Sequence, residues 1–166
     1  VYKRQVLLAV AGFQVRHVCV TGGEPLAQKE SIALLTALCD AGYEVSLETS
    51  GALDISRADV RVSRVMDIKT PLSGEAGKNR YENIAHLTPH DQVKLVIGDR
   101  NDYEWALAVV EATWNQRHHT IGGSADDAGI GDLDVRRVIA VNPQKWSDDL
   151  QAFFKEYYPG IEYVPV

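Results

Sequence analysis

Sulfur is scarce in this sequence. Its 166 residues include two cysteines, Cys19 and Cys39, and one methionine, Met66. Neither cysteine belongs to a C-x-x-C pair, which excludes a disulfide framework and makes a reducing cytoplasm the expected compartment. Basic charge is in deficit too. Lys and Arg number 17 against 23 Asp and Glu, a formal net charge of -6. That balance argues against a general nucleic-acid-binding surface. No apolar run approaches a membrane span and nothing reads as a signal peptide, so no membrane partner is expected. The chain also lacks an initiator methionine. Val1 to Gln5, "VYKRQ", read like the translation of a transposon end used in sequencing-library preparation and are set aside from fold reasoning. The chain is therefore expected to be a fragment whose native N-terminal part is missing. What remains is ordinary for a globular domain: 45% hydrophobic and 24% charged, long enough to bury a real core.

Apolar residues from Val6 to Phe13 suit the last turns of a helix. "RHVCVTGG" is a β-branched run ending in glycine, hence a buried strand. A helix is expected from about Gln28 to Ala41, with Ile32, Leu35, Leu38 and Cys39 at helical spacing and Gly42 as a left-handed cap. "YEVSLETSG", "RVSRVMDIKTP" and "DQVKLVIGD" read as three more strands, with a short helix from Tyr81 to Leu87 before the last. Asp102 begins a further helix, which Asp102 or Asn101 would cap. This alternation implies a mostly parallel sheet with covering helices, either doubly wound or part of a β/α barrel. In both, function gathers at the carboxyl ends of strands. The unusual residues fall there: Thr21 to Glu24, Glu48 to Gly51, Asp67 with Lys69, and Gly98 to Arg100. Beyond Trp114 a glycine- and aspartate-rich stretch precedes "RRVIAVNP", "SDDLQAFFKEYYPG" and "IEYVPV", which read as strand, helix and strand.

In "CVTGGEPLA", Gly22 and Gly23 remove side chains so that a ligand can reach backbone N–H and C=O groups. Glu24 offers an anionic acceptor for an ammonium group, and Pro25 fixes the turn. A strand-to-helix connection without special purpose would also account for the pentapeptide alone.

"VTGGEPL" followed by "LETSG" resembles the radical S-adenosylmethionine superfamily. "RHVCVTGGEPLAQ", "LCDAGYEVSLETSGALDI", "RVSRVMDIKTP" and "DQVKLVIGDRNDYEWA" together resemble its 7-carboxy-7-deazaguanine synthase family, from about Arg16 to Val110. The resemblance implies a partial β/α barrel of radical S-adenosylmethionine type over 6–114; 115–166 is an unassigned tail that either completes the same sheet or belongs to another protein across a chimeric junction near Trp114. It implies that Thr21 contacts substrate. S-adenosylmethionine would be held by Gly22, Gly23 and Glu24, with Glu48, Thr49 and Ser50 lining its pocket. Asp67, Ile68 and Lys69 fall at the family's S-P-K segment, of which this chain keeps only the lysine, and Lys94 has a supporting role. A 4Fe–4S cluster would cleave S-adenosylmethionine reductively. The resulting 5′-deoxyadenosyl radical would abstract hydrogen from 6-carboxy-5,6,7,8-tetrahydropterin, and ring contraction assisted by Mg²⁺ would give 7-carboxy-7-deazaguanine, on the route to queuosine and other deazapurines. A homodimer and a flavodoxin-type electron donor follow from the same resemblance.

The chain departs from that family in two respects. A cluster site needs three thiolates on one short loop, and Cys19 in a strand with Cys39 on a helix cannot supply them. This chain alone is thus expected to make no radical, and no metal ligand is expected within it. The family's terminal glutamine and His-Lys pair are missing from "IEYVPV". Two other functions compete: an activase for a glycyl-radical enzyme or ribonucleotide reductase, and a non-catalytic α/β module holding a small anionic or zwitterionic ligand. His118 and His119, with Asp126, Asp127, Asp132 and Asp134, fit a solvated loop better than a metal site.

Overall fold

The computed structural model describes residues 2–120, 139–141 and 162–164, with side chains from 3 to 113. It divides into two compact units: Val1–Ile68 with Lys78–Lys94, and Lys69–Gly77 with Leu95–Val166.

The first unit opens with α1 (Tyr2–Gly12), which also takes in Tyr2 to Gln5. Four strands follow: β1 (His17–Val20), β2 (Glu44–Thr49), β3 (Ser63–Ile68) and β4 (Gln92–Leu95). They form one parallel sheet in the order β1-β2-β3-β4. The register sets Cys19 opposite Ser46, Ser46 opposite Ser63 and Glu48 opposite Val65. The α/β class read from the sequence is therefore observed. All four strands are shorter than the apolar runs suggested, because each run includes residues of the polar exit loop.

Between β1 and β2 lies α2 (Ser31–Asp40), which starts three residues later than its periodicity implies. Glu24 and Pro25 close a 3₁₀ turn over Pro25–Ala27 first, and Gln28 ends that turn rather than joining the helix. The expected cap at the other end is present. Gly42 has φ +87, its N–H bonds to the Cys39 carbonyl at 3.0 Å, and the Tyr43 N–H reaches Leu38 at 3.2 Å. That pair of bonds is a Schellman motif. Leu35, Leu38 and Cys39 of α2 pack on Val45 and Leu47 of β2 with Ala58 and Val62, flanked by Leu7 and Val10 of α1. Each fully buried leucine stabilises this core by about 1.5–3 kcal/mol. Strand alternation buries Val45, Leu47 and Thr49, then Arg64, Met66 and Ile68, on this covered face. Ser46, Glu48, Val65 and Asp67 sit half-buried on the other face. The short helix expected at Tyr81–Leu87 is a 3₁₀ helix over Tyr81–His86.

In the second unit a 3₁₀ turn (Pro71–Ser73) is followed by α3 (Arg100–Thr120). The capping expectation at Asp102 is corrected. The helix starts at Arg100, and Asp99 Oδ1 accepts the Asp102 N–H at 2.8 Å. Asp102 itself is buried and accepts the Thr70 hydroxyl and the Leu72 N–H, both at 2.9 Å. Two further strands, β5 (Ile139–Val141) and β6 (Glu162–Val164), pair in parallel, as the strand–helix–strand reading of the tail requires. The expected helix between them, and the aspartates from Asp126 to Asp134, lie outside the described residues, as do the side chains of His118 and His119.

Candidate functional site

At the carboxyl end of β1 the chain passes through Thr21, Gly22 and Gly23, all exposed. Gly22 has φ +153, a conformation that favours glycine. A Cβ built on either Gly22 or Gly23 would meet nothing within 4 Å, so open space lies beside this backbone. The next residue turns inward. Glu24 Oε1 accepts the Leu26 N–H at 3.0 Å, while Oε2 accepts the Ser50 N–H at 2.8 Å and the Ser50 hydroxyl at 2.5 Å. The Thr49 hydroxyl lies 3.0 Å from both oxygens. Burial would raise the Glu24 pKa. The bonds from the Ser50 hydroxyl, the Leu26 and Ser50 amides and the Thr49 hydroxyl outweigh it and hold the carboxyl below the usual range. One side chain thus joins the loop after β1 to the loop after β2.

The β2 exit is held from beneath as well. Asn83 is fully buried, donates to the carbonyls of Gly51 and Leu53 at 2.9 and 2.8 Å, and accepts the Ile55 N–H at 3.3 Å. Gly51 has φ +69, and a Cβ there would lie 2.7 Å from Met66 Cγ. A Cβ there would force the Met66 side chain to shift, at a φ that already favours glycine.

On the half-open face, Lys94 Nζ of β4 sits 3.4 Å from Glu48 Oε2 of β2 and 3.4 Å from Asp67 Oδ2 of β3. Burial would lower the Lys94 pKa, but the charges of Asp67 and Glu48 prevail and raise it. Glu48 thereby shares a basic partner with Asp67. Ile68 is 5% exposed, on the covered face. Lys69 begins the second unit, half-buried, next to Thr70.

The structure therefore brings Glu24, Thr49 and Ser50 together, and separately Glu48, Asp67 and Lys94. Sequence reading did not find Asn83, whose role depends on a contact 28 to 32 residues distant and leaves no local signature. It read Glu24 as a ligand acceptor, yet here the carboxylate is engaged by four groups of its own chain.

The cysteines do not fit a cluster. Cys19 is exposed on β1 and Cys39 is buried in α2. Burial, reinforced by Asp59 and Asp40 against Arg61, raises the Cys39 thiol pKa and disfavours the thiolate a metal needs. Among the described residues no group of three or more His, Cys, Asp or Glu could hold a metal ion. None of their helices is long and apolar enough to cross a membrane.

No family model matches the chain. Curated relatives do. A 7-carboxy-7-deazaguanine synthase of Koribacter versatilis is 47% identical over 88 residues, 52% of this chain and 39% of the relative. That of Chlorobaculum tepidum is 39% identical over 109 residues, 64% of this chain and 50% of the relative. A third, from Methanospirillum hungatei, is 39% identical over 95 residues, 57% of this chain and 40% of the relative. The crystal structure of QueE from Escherichia coli superposes with a TM-score of 0.56 at 20% identity, over 98% of this chain and 61% of that one. The matched stretch is thus about half, or less, of these curated relatives. Over it, this chain is similar to the 7-carboxy-7-deazaguanine synthases, as "VTGGEPL" and "LETSG" led one to expect.

Proposed function

We propose that the rim after β1 and β2 binds S-adenosylmethionine, and that the protein is a 7-carboxy-7-deazaguanine synthase. This is a radical S-adenosylmethionine carbon–nitrogen lyase acting on 6-carboxy-5,6,7,8-tetrahydropterin for queuosine or another deazapurine. The observation that carries the reading is the exposed Gly22–Gly23 backbone with open space beside it, in a chain whose relatives bear that name. A ligand's ammonium and carboxylate groups find backbone C=O and N–H groups there without displacing a side chain. Bound S-adenosylmethionine supplies the radical chemistry. The chain's own residues hold and orient. Glu24 fixes the glycine loop against Ser50, and Thr21 is directed to the substrate. Glu48, Ser50 and Asp67 line the cofactor pocket, with Lys94 bridging Glu48 and Asp67, whereas Ile68 faces the covered side of the sheet.

The 4Fe–4S cluster does not fit the two cysteines of this chain, and Mg²⁺ finds no ligand group among the described residues. With 6–114 as the barrel part, 115–166 either completes the same sheet or derives from another protein across a junction near Trp114. For this chain alone, the misfit favours a binding role over turnover. A homodimer, a flavodoxin-type donor and a cytoplasmic location complete the proposal.

Gly23→Val tests it. Gly23 has no positive φ and its Cβ would meet nothing, so the substitution leaves the fold intact while filling ligand space. Titration of the chain with S-adenosylmethionine should show affinity at least about tenfold weaker for the variant. Equal affinity would count against the assignment.

A further inference from the structure

We infer that Asn83 is a positioning residue for the rim after β1 and β2, acting on the Gly22–Gly23 loop through Gly51, Thr49 and Glu24. The inference rests on the reading that this rim holds S-adenosylmethionine. All of these residues belong to the first unit. Asn83 lies in the 3₁₀ helix over Tyr81–His86 and is fully buried. Its Nδ2 donates to the Gly51 and Leu53 carbonyls at 2.9 and 2.8 Å, and its Oδ1 accepts the Ile55 N–H at 3.3 Å. The Arg80 N–H also reaches the Gly51 carbonyl, at 3.3 Å. Turned over, the amide would set its oxygen against two carbonyls, so a single orientation satisfies the site. An aspartate would lack both donors there, and a leucine all three bonds.

The bonds continue from Asn83 to the glycine loop. Gly51 presents its carbonyl to Asn83 and its N–H to Thr49 Oγ1, the latter at 3.2 Å. A glycine at φ +69 has many other conformations open to it, and the buried amide fastens this one. A threonine hydroxyl carries one proton. With Oγ1 accepting from Gly51, that proton is directed at Glu24, whose two oxygens both lie 3.0 Å away. Glu24 in turn holds the Leu26 and Ser50 amides, and it follows Gly23 directly in the chain. Thr49 is 3% exposed, on the covered face, so its hydroxyl acts on a ligand only through Glu24. The buried amide therefore decides where the two glycines are presented.

Five forms of the 166-residue chain test this: wild type, Asn83→Ala, Thr49→Val, Thr49→Ser and the double variant Asn83→Ala/Thr49→Val. Each is titrated with S-adenosylmethionine under conditions where circular dichroism shows it folded. Asn83→Ala and Thr49→Val should each weaken binding about tenfold, the effect of one lost hydrogen bond at the loop. The double variant should lose no more than either single one, because both interrupt the same route. Thr49→Ser keeps the hydroxyl and should recover the affinity that Thr49→Val loses, a rescue that general destabilisation would not produce. In the wild type, saturation with S-adenosylmethionine should slow hydrogen exchange at the Gly51 amide and the Asn83 side-chain amide. That measurement and the Thr49 pair decide if Asn83→Ala does not fold. Wild-type affinity in folded Asn83→Ala, or a loss of about a hundredfold in the double variant, overturns the positioning role and leaves the cofactor reading standing. So does Thr49→Ser as weak as Thr49→Val, or exchange at Gly51 and Asn83 unmoved by saturation. No binding by wild type overturns the cofactor reading, and the inference with it.

Discussion

Where β3 and β4 begin, Arg64 and Asp91 face each other with 4% and 0% of their side chains exposed. Asp91 Oδ1 accepts the Arg64 amide at 2.7 Å and Nε at 3.1 Å. Its Oδ2 accepts Arg64 Nη2 at 2.5 Å, with the Thr88 amide and hydroxyl at 2.7 and 2.9 Å. Where β1 and β2 end, Glu24 gathers a comparable set of donors but stays only half-buried, beside glycines that face open space. Both carboxylates are saturated by their own chain. Asp91 ties the starts of β3 and β4 together through buried bonds, whereas Glu24 steadies an end whose neighbouring glycine backbone is exposed. A saturated carboxylate thus fastens the chain at either end, and exposed glycines stand beside it at only one of the two.

The largest effect should come from breaking the closed end. Asp91→Ala leaves a buried guanidinium without its partner, at about 3–5 kcal/mol of stability. Denaturant unfolding should register that loss, while S-adenosylmethionine affinity of the folded fraction stays at the wild-type value. A fall in affinity at full folding would show that the two ends are not independent. Gly51→Ala should cost less, about 1–3 kcal/mol, because it forces a side chain to φ +69 against Met66. Unlike Asp91→Ala, it should also lower S-adenosylmethionine affinity, because Gly51 follows Ser50 directly on the rim proposed to hold that cofactor. Calorimetric unfolding and titration of the same preparation read both quantities.

How much of this was visible beforehand depended on sequence distance. The parallel sheet was legible because alternating apolar runs and glycine exits are local signals, and the Gly42 cap is one as well. The glycine rim was legible because two adjacent glycines after a strand are unusual. Arg64–Asp91 was not, because neither residue differs locally from a surface charge; only the approach of β4 to β3 buries them. Asp102 was misread for a related reason. An aspartate at a helix start is a ready cap, but here Asp99, three residues earlier, takes that role. Glu24 was found and assigned to a ligand, because sequence shows that a carboxylate adjoins the glycines but not that Thr49 and Ser50, 25 and 26 residues later, turn toward it.

Glu24→Gln gives the smallest change and the finest discrimination between the two ends. The amide keeps one accepting oxygen but not the charge that the donors around Oε2 complement. The stability lost at neutral pH should be about 1 kcal/mol, at the low end because the carboxylate is partly solvated. Its pH dependence has a definite sign. The folded carboxyl has a pKa below its ordinary value, so the unfolded chain takes up the proton first as pH falls. The stability that Glu24 contributes is fully present above the unfolded-state pKa and is lost as pH falls through the folded-state value. Wild type and Glu24→Gln should therefore differ most near neutrality and converge in acid. Asp91, also held below the usual range against the opposing effect of burial, adds a loss of the same sign to both proteins. Their difference consequently isolates Glu24. A gap that persists unchanged into strong acid would mean that packing, rather than the charge at the rim, makes Glu24 necessary there.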